Sequence, residues 1–256
     1  MKFRTLMAAA ALLGTTGVAA ADGQPSRAGY ACCEAPTWSG VYAGFHAGGA
    51  WGDTGWTFPF AETFNTAAGQ HFSTSPEGAI VGGHVGINRQ FGFFLIGGEL
   101  SYAGSNMQET VTGPVTAAFP LDRFKTEMSD LFTVTGRLGL AADKFLLYGK
   151  AGYAVANVDL KVFSGPPGAG ITANNNRRED GWTAGGGIEY RLMRSLVLGV
   201  EYNYVSLDGG RFTGTTGGTL PGLPFNADLD NFHMHTLTAR LSILLDTGPT
   251  TTAAMK

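Results

Sequence analysis

The stretch "WSGVYAGFHAGGAWG", residues 38 to 52, is too regular for a loop and too rich in glycine for a helix. Its odd positions read Val41, Ala43, Phe45, Ala47, Gly49 and Trp51, and its even positions read Tyr42, Gly44, His46, Gly48 and Ala50. A period of two with unlike faces predicts a β-strand, and the apolar face must meet either a protein core or lipid.

The same pattern recurs down the chain. Strands are predicted at 79–91, 93–103, 130–141, 144–160, 181–192, 196–207 and 233–245, which with the first makes eight. The turns near Gly92, at Ala142–Asp143 and at Met193–Ser195 are short. The intervening segments 53–77, 104–127, "FSGPPGAGITANNNRRED" and "DGGRFTGTTGGTLPGLPFNADLDN" are long and polar, and long and short connections alternate strictly. Structureless loops of this length are unusual in a compact soluble domain. Short turns at one end, long loops at the other and strands near ten residues long describe an eight-stranded antiparallel up-and-down transmembrane β-barrel.

The ends of the chain support export. "MKFRTLMAAAALLGTTGVAA" carries Lys2 and Arg4, an apolar run and then small residues, the layout of a signal peptide over 1–21. A polar leader is expected over 22–37, the barrel over 38–245 and a tail over 246–256. Without the signal peptide's two cations the net charge moves from −3 to −5, which lacks the basic footprint of a nucleic-acid binder. The only cysteines, Cys32 and Cys33, are adjacent in the leader, so no disulfide framework staples the fold.

With the apolar phase outward, Glu99, Arg137, Lys150, Glu189, Glu201 and Arg240 all fall on the inner face. Three acids meet three bases, as buried charge requires, and Tyr148, Asn203, Thr133, Thr135 and Thr238 are placed to hydrogen-bond among them. The phase sends Leu146 inward and Leu147, Ala151, Tyr153 and Val155 outward. Trp51, Phe91, Phe94, Tyr102, Trp182, Tyr190, Tyr202 and Tyr204 end the apolar faces as an interfacial girdle would.

Together "TWSGVYAGFHAGGAWG", "GGHVGINRQFGFFLIGGELSYAG", "VTGRLGLAADKFLLYGKAGYAVA" and "WTAGGGIEYRLMRSLVLGVEYNYV" resemble the alphaproteobacterial outer-membrane β-barrel proteins, immunogenic and porin-like surface proteins grouped with OmpA-type barrels. The resemblance implies an outer-membrane location, short periplasmic turns and charged pairs inside the barrel, with Glu99, Arg137, Lys150 and Glu189 in the corresponding places. Gly199 stands where such a barrel has an arginine, which assigns the missing charge to Arg240. Such proteins finish their last strand on an aromatic residue, whereas this strand ends at Leu245.

The implied role is a structural, surface-exposed barrel, with passage of small solutes or ions as the porin-like variant. Its expected partners are outer-membrane lipids, lipopolysaccharide and the barrel assembly machinery, with no nucleic acid, cofactor or metal. Catalysis through the inward His46 and His84 with Ser101 is weighed and set aside for want of a triad. Haem capture at "HMH" is set aside because His233 and His235 share the outward face. A soluble lipocalin-like barrel would reverse every facing assignment. Recognition is expected in loops 53–77 and 208–232.

Overall fold

The computed structural model describes residues 37–58, 69–112, 123–164, 171–215, 217–218 and 221–246. The signal peptide, all but the last residue of the leader, both cysteines and the tail after Asp246 lie outside the described residues. The strands are β1 (Gly40–Phe58), β2 (Gln70–Thr74), β3 (Glu77–Phe91), β4 (Phe94–Thr112), β5 (Arg123–Ala142), β6 (Phe145–Ser164), β7 (Ile171–Arg191), β8 (Leu196–Leu207), β9 (Arg211–Thr215), β10 (Gly217–Gly218), β11 (Pro224–Leu229) and β12 (Phe232–Asp246).

Eight of them form a ring in the order β12-β8-β7-β6-β5-β4-β3-β1, with β12 pairing back onto β1 from Asp246 opposite Gly40 to His233 opposite Asp53. Closure leaves no free edge in that ring, the condition for a sheet to sit in hydrocarbon. The short turns lie together at one end. Gly92 supplies one with φ 61°, and Asp143 supplies another with φ 50°, a left-handed conformation that aspartate tolerates. The other four strands, β2, β9, β10 and β11, lie at the opposite end and pair onto β1, β7 or one another.

The strands run well past the predicted ends. The twenty residues of β6 at ~3.3 Å each span roughly 65 Å, and even a 40° tilt leaves them far taller than a membrane band of ~25 Å. Much of what the sequence offered as loop, including Gly104–Thr112, Arg123–Glu127 and Ile171–Asp180, is therefore strand.

The reason is an inversion of polarity along the barrel. Near the turns the outside is apolar and exposed, with Phe45 at 75% and Val81 at 64%, while the inside holds charge. Near the loops, β6 buries Val158, Leu160 and Val162 inside and turns Asn157, Asp159 and Lys161 out. Trp56, Phe58, Met107, Phe124, Met128, Leu207, Phe232 and Met234 join them in one buried apolar cluster. The loop end is thus built like a water-soluble barrel, apolar within and polar without.

Inward glycines make this narrow ring closable. A Cβ on Gly48 would stand 2.0 Å from the Leu237 carbonyl oxygen and 2.7 Å from the Thr238 Cα on β12, whereas one on Gly49 meets nothing within 4 Å. Gly48→Val is expected to prevent the β1–β12 closure, and Gly49→Val to fold as wild type. The mobility shift of unheated against heated protein on SDS gels reads both.

Candidate functional site: the filled lumen

All six charged residues assigned inward by strand phase meet inside the ring. Glu99 on β4 is the hub, reached by Arg137 Nη1 at 3.3 Å, Lys150 Nζ at 3.0 Å and Arg240 Nη2 at 2.5 Å. Arg137 also reaches Glu189 at 2.9 Å, Lys150 reaches Glu201 at 2.7 Å, and Arg240 contacts Glu201 and lies 3.8 Å from Glu189. Each of the six is at most 8% exposed. The Cα of Arg240 pairs with that of Gly199, so the guanidinium occupies the side of the lumen that glycine vacates.

Burial is tolerable here because each acid has at least two cationic partners. Neutral donors complete the shell: Tyr148 Oη donates to Glu201 at 2.5 Å and Asn203 Nδ2 to the same carboxylate at 3.0 Å. The hydroxyls of Thr135 and Thr238 are buried without a partner among the described residues, unlike the role the strand phase gave them. Beside Thr238 lies a cavity of about 30 Å³, also lined by His46, Ser101, Lys150, Glu201 and Asn203.

Leu146 points inward and is fully buried, as its phase requires, and Leu147 and Tyr153 are outward and exposed. Val155 keeps outward parity but is only 9% exposed, between its cross-strand partners Phe132 and Asp180.

Two contributors escaped sequence reasoning. Tyr42 donates its hydroxyl hydrogen to Glu99 Oε2 at 2.8 Å and accepts from Arg137 Nη1 at 2.6 Å, bridging the pair. Arg191, two residues beyond inward Glu189, stands 4.7 Å over the Trp38 ring and donates to the Thr37 carbonyl at 2.5 Å. The period-two rule already put both inside; their partners are distant in sequence. Trp38 itself is 1% exposed. Its backbone nitrogen donates to Gln90 and its indole nitrogen to the Asp143 carbonyl, so it is tied under the turn end. There it packs in a cluster with Tyr42, Leu95, Leu146, Val197 and Leu244.

His46 and His84 also meet, Nδ1 to Nδ1 at 3.4 Å, and His84 Nε2 lies 2.8 Å from Ser242 Oγ. His84 and Ser242 are 3% and 4% exposed, and His46 is half-buried. At the loop end, Glu127 sits between Lys125 and Lys161 and is held below the usual carboxylate range by hydrogen bonds from both lysines, Lys125 first.

A closed antiparallel ring with an apolar outer band, a girdle of aromatics and a charged, side-chain-filled interior defines a small transmembrane β-barrel. The match to known proteins agrees: the outer membrane protein beta-barrel domain model covers residues 8–241, and the chain belongs to that family. It is 30% identical over 217 residues to the 31 kDa outer-membrane immunogenic protein of Brucella melitensis, covering 81% of this chain and 88% of that one. A shorter match, 32% over 88 residues, joins it to the 22 kDa outer membrane protein of Rhizobium leguminosarum, covering 32% and 38% of the two chains. The outer membrane protease OmpT of Escherichia coli shares the fold with TM-score 0.54 over 80% of this chain and 97% of that one, at 11% identity. This is a bacterial outer-membrane protein. Its turn end is periplasmic and its loop end faces outward.

Proposed function

We propose that the protein is a closed, surface-exposed anchor, a structural barrel that carries its loops above the outer membrane instead of conducting through it. One observation carries the reading: buried side chains crowd the lumen at three levels in series. The periplasmic mouth holds the Trp38 cluster, the middle holds the six-charge network and the outer half holds the apolar cluster around Phe124. An eight-stranded barrel is only wide enough for side chains to fill, and the interior space described beside Thr238 is a cavity of about 30 Å³. On this reading the barrel assembly machinery inserts the chain, and outer-leaflet lipids, lipopolysaccharide included, surround it. The function then resides in the loops and in the polar outer wall.

The full chain refolded into a planar bilayer tests this. Wild type is expected to insert without discrete conductance steps, and so is Glu99→Gln, because the layers above and below the network remain. Regular steps in wild type would establish porin-like passage and overturn the closed reading.

A further inference from the structure

Six rings form a contiguous but uneven plate on the outer wall where β1 meets β12 and its neighbours, adjoining rings being tilted by 13° to 60°. Trp51 on β1 stacks on His235 at 5.8 Å and 13°. His235 lies 6.0 Å from Tyr202 and 5.2 Å from Tyr204. Tyr204 stacks on His233 at 5.8 Å and 18°, and Trp182 on β7 approaches Tyr204 at 5.3 Å.

The polar atoms of the plate are ordered. Tyr202 Oη lies 2.6 Å from His235 Nδ1 and Tyr204 Oη lies 2.7 Å from His233 Nδ1. This leaves Nε2 of each imidazole for a further partner. Exposed Asp53, opposite His233, and exposed Glu77, opposite Trp51, add carboxylates along the upper border. Below the plate the wall turns wholly apolar through Leu237, Leu241, Val200 and Leu198. The plate therefore lies at the level where hydrocarbon gives way to headgroups.

We propose that this plate is a binding site for the sugar ring of an outer-leaflet glycolipid, the glucosamine headgroup of lipid A. The electron-rich face of an aromatic ring attracts the weakly positive C–H groups on a pyranose face. The free imidazole nitrogens and the two carboxylates supply hydrogen-bond partners for hydroxyl and amide groups. Asp53 and Glu77 offer phosphate no cation, so recognition falls to the hydroxyl, amide and C–H groups of the sugar, with the phosphates of lipid A directed away from that border. The plate faces sideways from the barrel wall at headgroup depth, where a lipid-anchored sugar is already held and a soluble glycan is not. The acyl chains then run down the apolar wall beneath it. This deepens the reading of an anchor seated among outer-leaflet lipids and rests on it, yet is independent of whether the lumen conducts.

The test is retention of lipid A by the full chain in detergent micelles, followed by native mass spectrometry and by tryptophan emission. Of the four tryptophans, Trp38 and Trp56 are buried, so the exposed Trp51 and Trp182 are the reporters within the plate. Wild type is expected to retain lipid A and to shift its emission, with Trp51→Leu/His235→Leu binding at least about tenfold more weakly, a loss of ~1.4 kcal/mol. Tyr102→Leu, on the far side at β4, should bind as wild type.

His235→Gln, which keeps a polar side chain of similar reach, serves if the double variant fails the gel-shift test for folding, and it should also weaken retention. Equal retention of phosphatidylglycerol and lipid A by wild type, or undiminished retention by folded plate variants, would overturn the proposal. So would displacement of lipid A by a soluble glucosamine disaccharide, which would make the ligand a free glycan. A conducting barrel that still retains lipid A would refute only the closed-lumen reading.

Discussion

Glu99→Gln is expected to be among the most destabilising single changes in the transmembrane half, lowering unfolding free energy by about 3–5 kcal/mol, the range for removing one partner from a buried ion pair. Glutamine keeps the shape and one acceptor but abolishes the charge that Arg137, Lys150 and Arg240 converge on. The network then holds three cations against the two carboxylates of Glu189 and Glu201. Lys150 and Arg240 would compete for Glu201, which both already contact. Denaturant unfolding from lipid vesicles, followed by tryptophan emission, measures the effect.

A double-mutant cycle separates charge imbalance from lost packing. Glu99→Gln with Lys150→Met restores the balance at two and two, so the pair should be less destabilised than the sum of the single variants. Strict additivity would mean that the six residues are merely enclosed side by side and not coupled. Both outcomes are independent of conductance, because the Trp38 cluster and the outer apolar cluster are untouched.

How much of this was legible depended on which solvent each strand segment meets. On β1, β3 and β4, lipid outside and charge or small residues inside give clean alternation, and the facing of Phe45, Val81 and Glu99 follows from it. Above the membrane the alternation persists in β6 but changes sign: Val158, Leu160 and Val162 keep the inward phase of Lys150 while becoming the apolar set. A reader who treats the apolar face as outward loses the strand there and records a loop. In β5 a second effect intervenes. The register shifts between Met128 and Asp130, so inward parity passes from Phe124, Thr126 and Met128 to Leu131, Thr133, Thr135 and Arg137. One bulged residue flips every side chain beyond it, and no turn residue announces it. Arg191 and Tyr42 were hidden differently, since parity gives a direction but never a partner.

Phe124→Ala is expected to lower the stability of the outer half by about 3–5 kcal/mol, as for other fully buried Phe truncations. Phe124 is 0% exposed and packs 5.7 Å from the rings of both Trp56 and Phe58. Were residues 104–127 a solvated loop, the same change would stay within ~0.5 kcal/mol, as surface substitutions do, so the measurement decides between the two descriptions. The neighbouring Lys125→Ala provides the contrast. Lys125 is outward and half-buried beside Glu127, and such a surface ion pair is worth at most ~1 kcal/mol. The consequence extends to cooperativity. No lipid supports the outer half, so its stability rests on the apolar cluster and on continuity with the strands below. Weakening that cluster should let the outer half open locally while the membrane band stays folded. Protease added outside intact vesicles should then cut Phe124→Ala at the loop end at temperatures where wild type resists. The remaining fragment should keep its gel-shift behaviour, since most of the ring closure, from Gly40 opposite Asp246 to Gly49 opposite Leu237, lies nearer the turns than the contacts of Phe124 with Trp56 and Phe58. Loss of the gel shift together with protection would instead make the barrel one cooperative unit from mouth to mouth.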